Sequence, residues 1–421
     1  MEQREVITLP NGARIVFDAM PGLRTASVGV YIGAGARHEP AALNGLAHFL
    51  EHMAFKGANG LSARDIAEMV EARGTSMNAA TDYERTSYFV RCLSADAPQM
   101  LDVALSLVFA PDLPPEEIER EKFVVLQEIG EAADQPDDLV MELAQAASFP
   151  GHPLGRPILG VEASLKPVNR DDLIAFAGTT YVPSRTVVSV AGAFDRTAVE
   201  AVARRWLAGR AVLPAHHGKA PGPPRAHAAT VARKLEQTHL VLAHPGPHAL
   251  SDERFAARIF AEIFGGGMAS RLFQEVRESR GLAYTIDASA EQYSDAGRIS
   301  VFAGCAPGDA AQVVDLTRAI WADLAGAGPT EAELSRARAI AAASYAMAAE
   351  APAARAGSAA YELLAFDRLV TIEETMRRID SVTAEDVRRI AAATLEGPPV
   401  AAAVGPKAGL AAAEAFVSSR A

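Results

Sequence analysis

Two hydrophobic periods alternate along this chain. Arg14 to Phe17, Ser27 to Ile32 and Thr86 to Arg91 switch between apolar and polar positions at a period of two, which predicts short strands. Between them lie stretches of helical period, each about 10 to 15 residues long. The clearest runs from Glu116 to Ile129, where Ile118, Val125, Leu126 and Ile129 recur near helical spacing behind Pro114 and Pro115. Asn11-Gly12 marks a hairpin turn, and Ser62-Ala63-Arg64-Asp65 ahead of Ile66 and Val70 predicts a capping box at the start of a helix. Strands and helices in runs, rather than in strict alternation, predict an α+β fold in which a mainly antiparallel sheet is layered with helices.

The pattern repeats. Arg91-Cys92-Leu93-Ser94-Ala95-Asp96 leads from a strand into an amphipathic helix, and Gly304-Cys305-Ala306-Pro307-Gly308-Asp309 does the same. Further on, Pro115-Glu116-Glu117-Ile118 compares with Thr330-Glu331-Ala332-Glu333-Leu334. Carrying Ile118 onto Leu334 shifts the frame by 216, so the chain reads as two similar domains from an internal duplication. A Pro-rich stretch with Pro214, Pro221, Pro223 and Pro224 separates them, giving an expected division into 1–212, a linker at 213–227, and 228–421.

Composition narrows the class. With 421 residues, 49% of them hydrophobic and 22% charged, the chain is long enough for two globular cores. The net charge of −12 argues against nucleic acid, which calls for a basic footprint, and fits attraction of cationic peptides or plain solubility. No apolar stretch approaches membrane-spanning length. The charged start Met1 to Glu5 lacks a following apolar run, so a leader is not expected and the cytoplasm is the expected compartment. The two cysteines, Cys92 and Cys305, fall in different halves and are expected to be buried and unpaired.

Candidate chemistry concentrates at His48-Phe49-Leu50-Glu51-His52. Helix positions i, i+3 and i+4 share a face, so both imidazoles can grip one metal ion with Glu51 beside it. This H-x-x-E-H order is the inverse of the commoner zincin motif. A hydrolytic zinc takes three protein ligands and leaves one position for water, and Glu128 is the leading third ligand. Glu121 lies two turns earlier on the same helical face and can orient a ligand. The second copy carries Ala337 and Ser344 at the corresponding positions, and Gly267 to Gln274 stands where Gly45 to His52 stands without a histidine, so metal is expected in the first half alone. Gly74 to Thr81, with small side chains, reads either as an edge strand open to an added peptide or as a loop shaped by Gly and Asn.

These residues together resemble the pitrilysin and insulysin family of zinc metallopeptidases, the inverzincins, and within it the short-chain branch that includes the mitochondrial processing peptidase catalytic subunit and bacterial relatives. The resemblance spans Leu9-Pro10-Asn11-Gly12, Gly45 to Gly57, Asn78-Ala79-Ala80-Thr81, the Glu121 to Glu128 helix, and Ser270-Arg271-Leu272-Phe273 leading to Arg277 and Tyr284. It implies one Zn²⁺ per subunit on His48, His52 and Glu128, Glu51 as catalytic base, and Glu121 in support. It further implies that Asn78, Ala79 and Ala80 hold an unfolded peptide as an added strand, and that Arg277 and Tyr284 bind substrate and stabilise the oxyanion. In the family four such domains enclose a chamber, which short chains complete by pairing. A homodimer is therefore expected, with a heterodimer with an inactive paralogue as the alternative. A non-catalytic subunit of a larger complex and a dedicated presequence processing enzyme are the competing functions.

Overall fold

The computed structural model describes residues 4–212, 220–222 and 224–418. Thirteen strands are present among them: β1 (Arg4–Thr8), β2 (Arg14–Ala19), β3 (Thr25–Ile32), β4 (Gly57–Ala58), β5 (Leu61–Ser62), β6 (Met77–Thr81), β7 (Thr86–Leu93), β8 (Thr186–Gly192), β9 (His227–Ala232), β10 (Thr238–Pro245), β11 (Ala283–Gln292), β12 (Gly297–Cys305) and β13 (Val400–Gly405). β4 and β5 form a small ribbon. The others build two sheets, in the orders β1-β2-β8-β3-β7-β6 and β11-β12-β10-β13-β9.

The sheets report the duplication directly. In the first, β2 pairs parallel with β8, and β8, β3, β7 and β6 follow in antiparallel pairs. In the second, β9 pairs parallel with β13, and β13, β10, β12 and β11 follow in antiparallel pairs. The two are the same five-strand pattern, mainly antiparallel as expected. The expected hairpin joins β1 to β2, with Gly12 at a φ of +90° in the turn. Ser62 caps the helix Ala63–Glu71, in a capping box with Asp65.

Packing divides the chain into two compact units, and neither is continuous in sequence. One comprises Met1–Gly130, Arg156–Gly218 and Ala346–Val370; the other comprises Glu131–Gly155, Lys219–Tyr345 and Thr371–Ala421. A division at 213–227 therefore follows the strands but not the helices. Of that linker, residues 213–219 and 223 lie outside the described residues, including Pro214, His216 and His217, and the remainder up to 226 has no regular secondary structure. The exchange is symmetric under the offset of 216: helix Pro136–Ser148 belongs to the second unit and helix Pro352–Phe366 to the first. Each starts on a proline, whose fixed φ and missing N–H suit the first helical position.

In the first unit, one sheet face meets Leu46, Phe49, Leu50, Met53, Met100, Leu101 and Leu105 in the main core. The opposite face, with Val16, Tyr31 and Val187, is covered by Ala359, Ala360 and Leu363 of helix Pro352–Phe366. That helix is also tied down by charge. Arg355 donates from Nε and Nη2 to the two oxygens of Asp18 at 2.6 and 2.7 Å, and Arg4 donates to Glu362 at 3.1 Å. In the second unit the main core gathers around Trp321, Phe260 and Phe264, and Val140 and Ala144 of helix Pro136–Ser148 cover Val241, Ala402 and Val404. His244 is buried in β10 against Trp321 and Phe416, where the carbonyl of Gly397 lies 3.1 Å from Nδ1. Cys92 and Cys305 are buried and free, in β7 and β12.

Candidate active site

The H-x-x-E-H segment lies in helix Leu46–Ala54, whose buried face is Leu46, Ala47, Phe49, Leu50, Met53 and Ala54. That leaves His48, Glu51 and His52 on the half-buried face. The helix starts at Gly45, with a φ of 94° and no side-chain cap of its own. A Cβ there would stand 2.6 Å from the Leu159 carbonyl oxygen, so the position demands glycine twice over. Glu39 supplies the missing cap from a distance. Its buried carboxylate accepts from the Gly45 and Ala47 N–H groups at 2.8 and 2.7 Å, and from Asn44 Nδ2 at 2.9 Å. Burial pushes this carboxyl up to about 7 against those hydrogen bonds, and its oxygens satisfy N–H groups that a helix start leaves free.

Glu121 and Glu128 come from helix Pro115–Asp134, which extends beyond the expected Glu116 to Ile129 at both ends. Nε2 of His48 and Nε2 of His52 lie 3.8 and 3.6 Å from Glu128 Oε2. One ligand atom from each of His48, His52 and Glu128 falls within 4.8 Å of the others, and among the described residues this is the one such group able to hold a metal ion. Glu121 is 5% exposed, and its Oε1 lies 2.9 Å from His52 Nδ1. A carboxylate only accepts, so Nδ1 carries a proton, and Nε2 is the ring nitrogen turned toward Glu128. The other oxygen of Glu121 meets Lys56 Nζ at 2.6 Å. His48 Nδ1, in contrast, is buried with no hydrogen-bond partner among the described residues.

The environment sets the charge states. Burial, helped by His52, holds the His48 imidazole down at about 4, so it stays neutral and able to ligate near pH 7. Burial raises Glu51, against the hydrogen bond from Thr81 and the field of His52. Burial also works to raise Glu121, but hydrogen bonds from Lys56 and His52 outweigh it and hold this carboxyl below its ordinary value.

Gly74 to Thr81 is an edge strand only in part. β6 begins at Met77 and forms the edge of its sheet, whereas Gly74 has a φ of +65° in a turn. Asn78 and Ala80 face solvent, while Ala79 is half-buried. At the far end of β6 the Thr81 hydroxyl donates to Glu51 Oε2, so the free strand edge leads to the acid of the motif. Arg277 and Tyr284 belong to the second unit. There the Arg277 guanidinium lies 4.7 Å from the centre of the Phe273 ring and 5.3 Å from that of Tyr284, which is 75% exposed on the edge strand β11. Arg271 is occupied by Glu333 and Asp323, and Arg280 by Glu275. Arg277 forms no ion pair among the described residues.

Three contributors escape a reading of the sequence for chemistry: Glu39, Thr81 and Lys56. Glu39 acts through the fold and leaves no local signal, whereas Thr81 lies in the Asn78-Ala79-Ala80-Thr81 segment of the resemblance without a role of its own. Lys56 did leave one, since it stands four residues beyond His52 and continues the ligand face.

Comparison with known proteins gives the family. Residues 14–162 match a family described as insulinase (peptidase family M16), and residues 167–341 match the M16 inactive domain. An uncharacterised zinc protease of Mycobacterium leprae is 35% identical over 410 residues, covering 95% of this chain and 91% of that protein. One of Bacillus subtilis is 34% identical over 388 residues, covering 91% and 94%. Among solved structures, a peptidase M16 inactive domain from Pseudomonas fluorescens superposes with a TM-score of 0.89 at 23% identity, covering 96% of this chain and 98% of that one, which supports the fold. With identity of this level across almost the whole length, and with the motif that prompted the resemblance folded into one site, the chain belongs to the M16 (insulinase) family of peptidases.

Proposed function

We propose that this chain is a zinc-dependent peptidase acting on unfolded peptides in the cytoplasm, with His48, His52 and Glu128 as the metal ligands. The observation that carries the reading is the convergence of those three ligand atoms within 4.8 Å, beside Glu51 on the same helix. Two imidazoles and one carboxylate are a donor set that would suit a hydrolytic zinc. A zinc ion there supplies Lewis acidity, lowering the pKa of water to about 7 and polarising a peptide carbonyl.

The chain's own residues supply the rest. Glu51 takes the proton of the attacking water and returns it to the leaving amine. Thr81 keeps that carboxylate aimed. Asn78, Ala79 and Ala80 offer the free edge of β6 to an extended peptide, which adds as a further strand through main-chain hydrogen bonds. Arg277 and Tyr284, both donors, bind the substrate and stabilise the developing oxyanion. Names of the relatives as zinc proteases support the metal assignment.

Metal analysis of the purified chain is expected to give one zinc per subunit, lost in His48→Ala and in Glu128→Gln. Full metal content in both variants would remove these residues as ligands. Digestion of a mixed peptide library with and without chelator, read by mass spectrometry, then tests the activity. Many cleavage sites mark a degradative enzyme, one class of site marks a processing enzyme, and no chelator-sensitive cleavage at all defeats the peptidase reading.

The family resemblance supports a chamber of four domains, reached here by a homodimer whose Arg277 and Tyr284 serve the partner's zinc. Mixing Glu51→Gln chains with Arg277→Ala chains, each nearly inactive alone, is then expected to restore activity as subunits exchange. Persistent inactivity despite demonstrated exchange would defeat the shared site. A heterodimer with an inactive paralogue would show instead as a chain that is monomeric and inactive until that partner is supplied.

A further inference from the structure

We infer that Lys56 is a positioning residue of this site: with Glu121 and His52 it closes a clamp that holds the two ligand-bearing helices in register, an inference that rests on the zinc reading above. Lys56 follows helix Leu46–Ala54, and its backbone N–H donates to the Met53 carbonyl at 3.1 Å, so the last turn carries on past the helix. This brings Lys56 round beneath His52. From there Nζ reaches Glu121 Oε2 at 2.6 Å while His52 Nδ1 meets Oε1 at 2.9 Å.

The terminal torsion of a glutamate is broad and nearly two-fold, so a single hydrogen bond leaves the carboxylate free to rock. Partners on opposite oxygens fix it. A fixed Glu121 in turn fixes the ring of His52, whose Nε2 then stands 3.6 Å from Glu128 Oε2. The path leaves the first helix at His52, crosses to the second at Glu121 and returns at Lys56, in the turn that follows the first. Helix Pro115–Asp134 buries Ile118 and Val125 and packs Leu126 and Ile129, partly buried, against the same core, and the buried Glu121 adds a polar tie to that grip. Glu128, on the same helix seven residues after Glu121, is carried to the histidines by this link. Glu121 is buried while the Lys56 side chain is 28% exposed, so the lysine is the solvent-facing member of the clamp and can be changed without opening the core.

The test measures metal affinity rather than turnover. Wild-type protein is first titrated with zinc against a competing chelator; failure to bind one ion defeats the zinc reading and not the clamp. Lys56→Met is expected to weaken zinc binding by about ten- to a hundredfold, the usual cost of losing a partner behind a metal ligand, while Lys56→Arg retains most of it. In a Glu121→Gln background Lys56→Met is expected to add nothing, because the carboxylate it holds is gone. Thermal unfolding of the metal-free variants reports separately on folding, and Lys56→Gln carries the same comparison if the methionine variant does not fold. Wild-type affinity in Lys56→Met, or an undiminished effect in the Glu121→Gln background, overturns the proposal.

Discussion

Glu51→Gln is expected to keep its zinc and lose peptide cleavage by about 10²- to 10⁴-fold, the range that a positioned acid or base contributes. The amide has the size of the acid and still accepts from the Thr81 hydroxyl, so helix Leu46–Ala54 and its two imidazoles stay in place. What it lacks is a site for the water's proton. Burial raises the proton affinity of Glu51, which suits a group that must take a proton and give it back within one turnover. Steady-state cleavage of a quenched fluorescent peptide, run beside metal analysis of the same sample, checks both halves. Wild-type turnover would take Glu51 out of the chemistry, and loss of zinc together with activity would move it into the ligand set.

Asp18→Ala is expected to cost about 3–5 kcal/mol of stability, as breaking one side of a buried ion pair does. Asp18 is 2% exposed in its side chain and Arg355 12%, and the bidentate contact anchors helix Pro352–Phe366 to β2. Removing the carboxylate strips two charge-assisted hydrogen bonds from a desolvated guanidinium. The double variant Asp18→Ala with Arg355→Met is expected to recover much of the loss, since exchanging both partners for apolar groups is often close to neutral. Urea unfolding of the metal-free chains measures it. A single variant with the wild-type midpoint would show that the apolar contacts of Ala359, Ala360 and Leu363 hold the helix by themselves.

Much of the site was legible because it obeys local geometry. His48, Glu51 and His52 sit one turn apart on one helix, Glu121 and Glu128 two turns apart on another, and helical spacing alone puts each set on a face. The duplication was legible for the same reason: at the offset of 216, buried Ile118 meets buried Leu334, and buried Glu121 meets buried Ala337. What stayed hidden is non-local. An amphipathic period says that Pro136–Ser148 and Pro352–Phe366 each bury a face, but not which sheet receives it. Glu39 caps a helix that starts six residues later through a loop, and no capping pattern of adjacent residues marks it. The start of β6 at Met77 rather than Gly74 turned on a glycine whose positive φ looks no different in sequence from one inside a strand.

The exchanged helices also order the protein's synthesis. All eight strands of the first unit have left the ribosome once Gly192 emerges, yet one face of that sheet, with Val16, Tyr31 and Val187, still awaits a helix from beyond residue 350. Gly192 and Arg355 are 163 residues apart, and at the usual 5–20 residues per second the gap is roughly 8–33 s of translation. For that interval the nascent first unit presents an uncovered apolar sheet face with an unmatched acid in it, so it cannot finish folding as a leading domain. Both units close only after the chain is nearly complete, and a protein built this way is committed to folding late and as a whole.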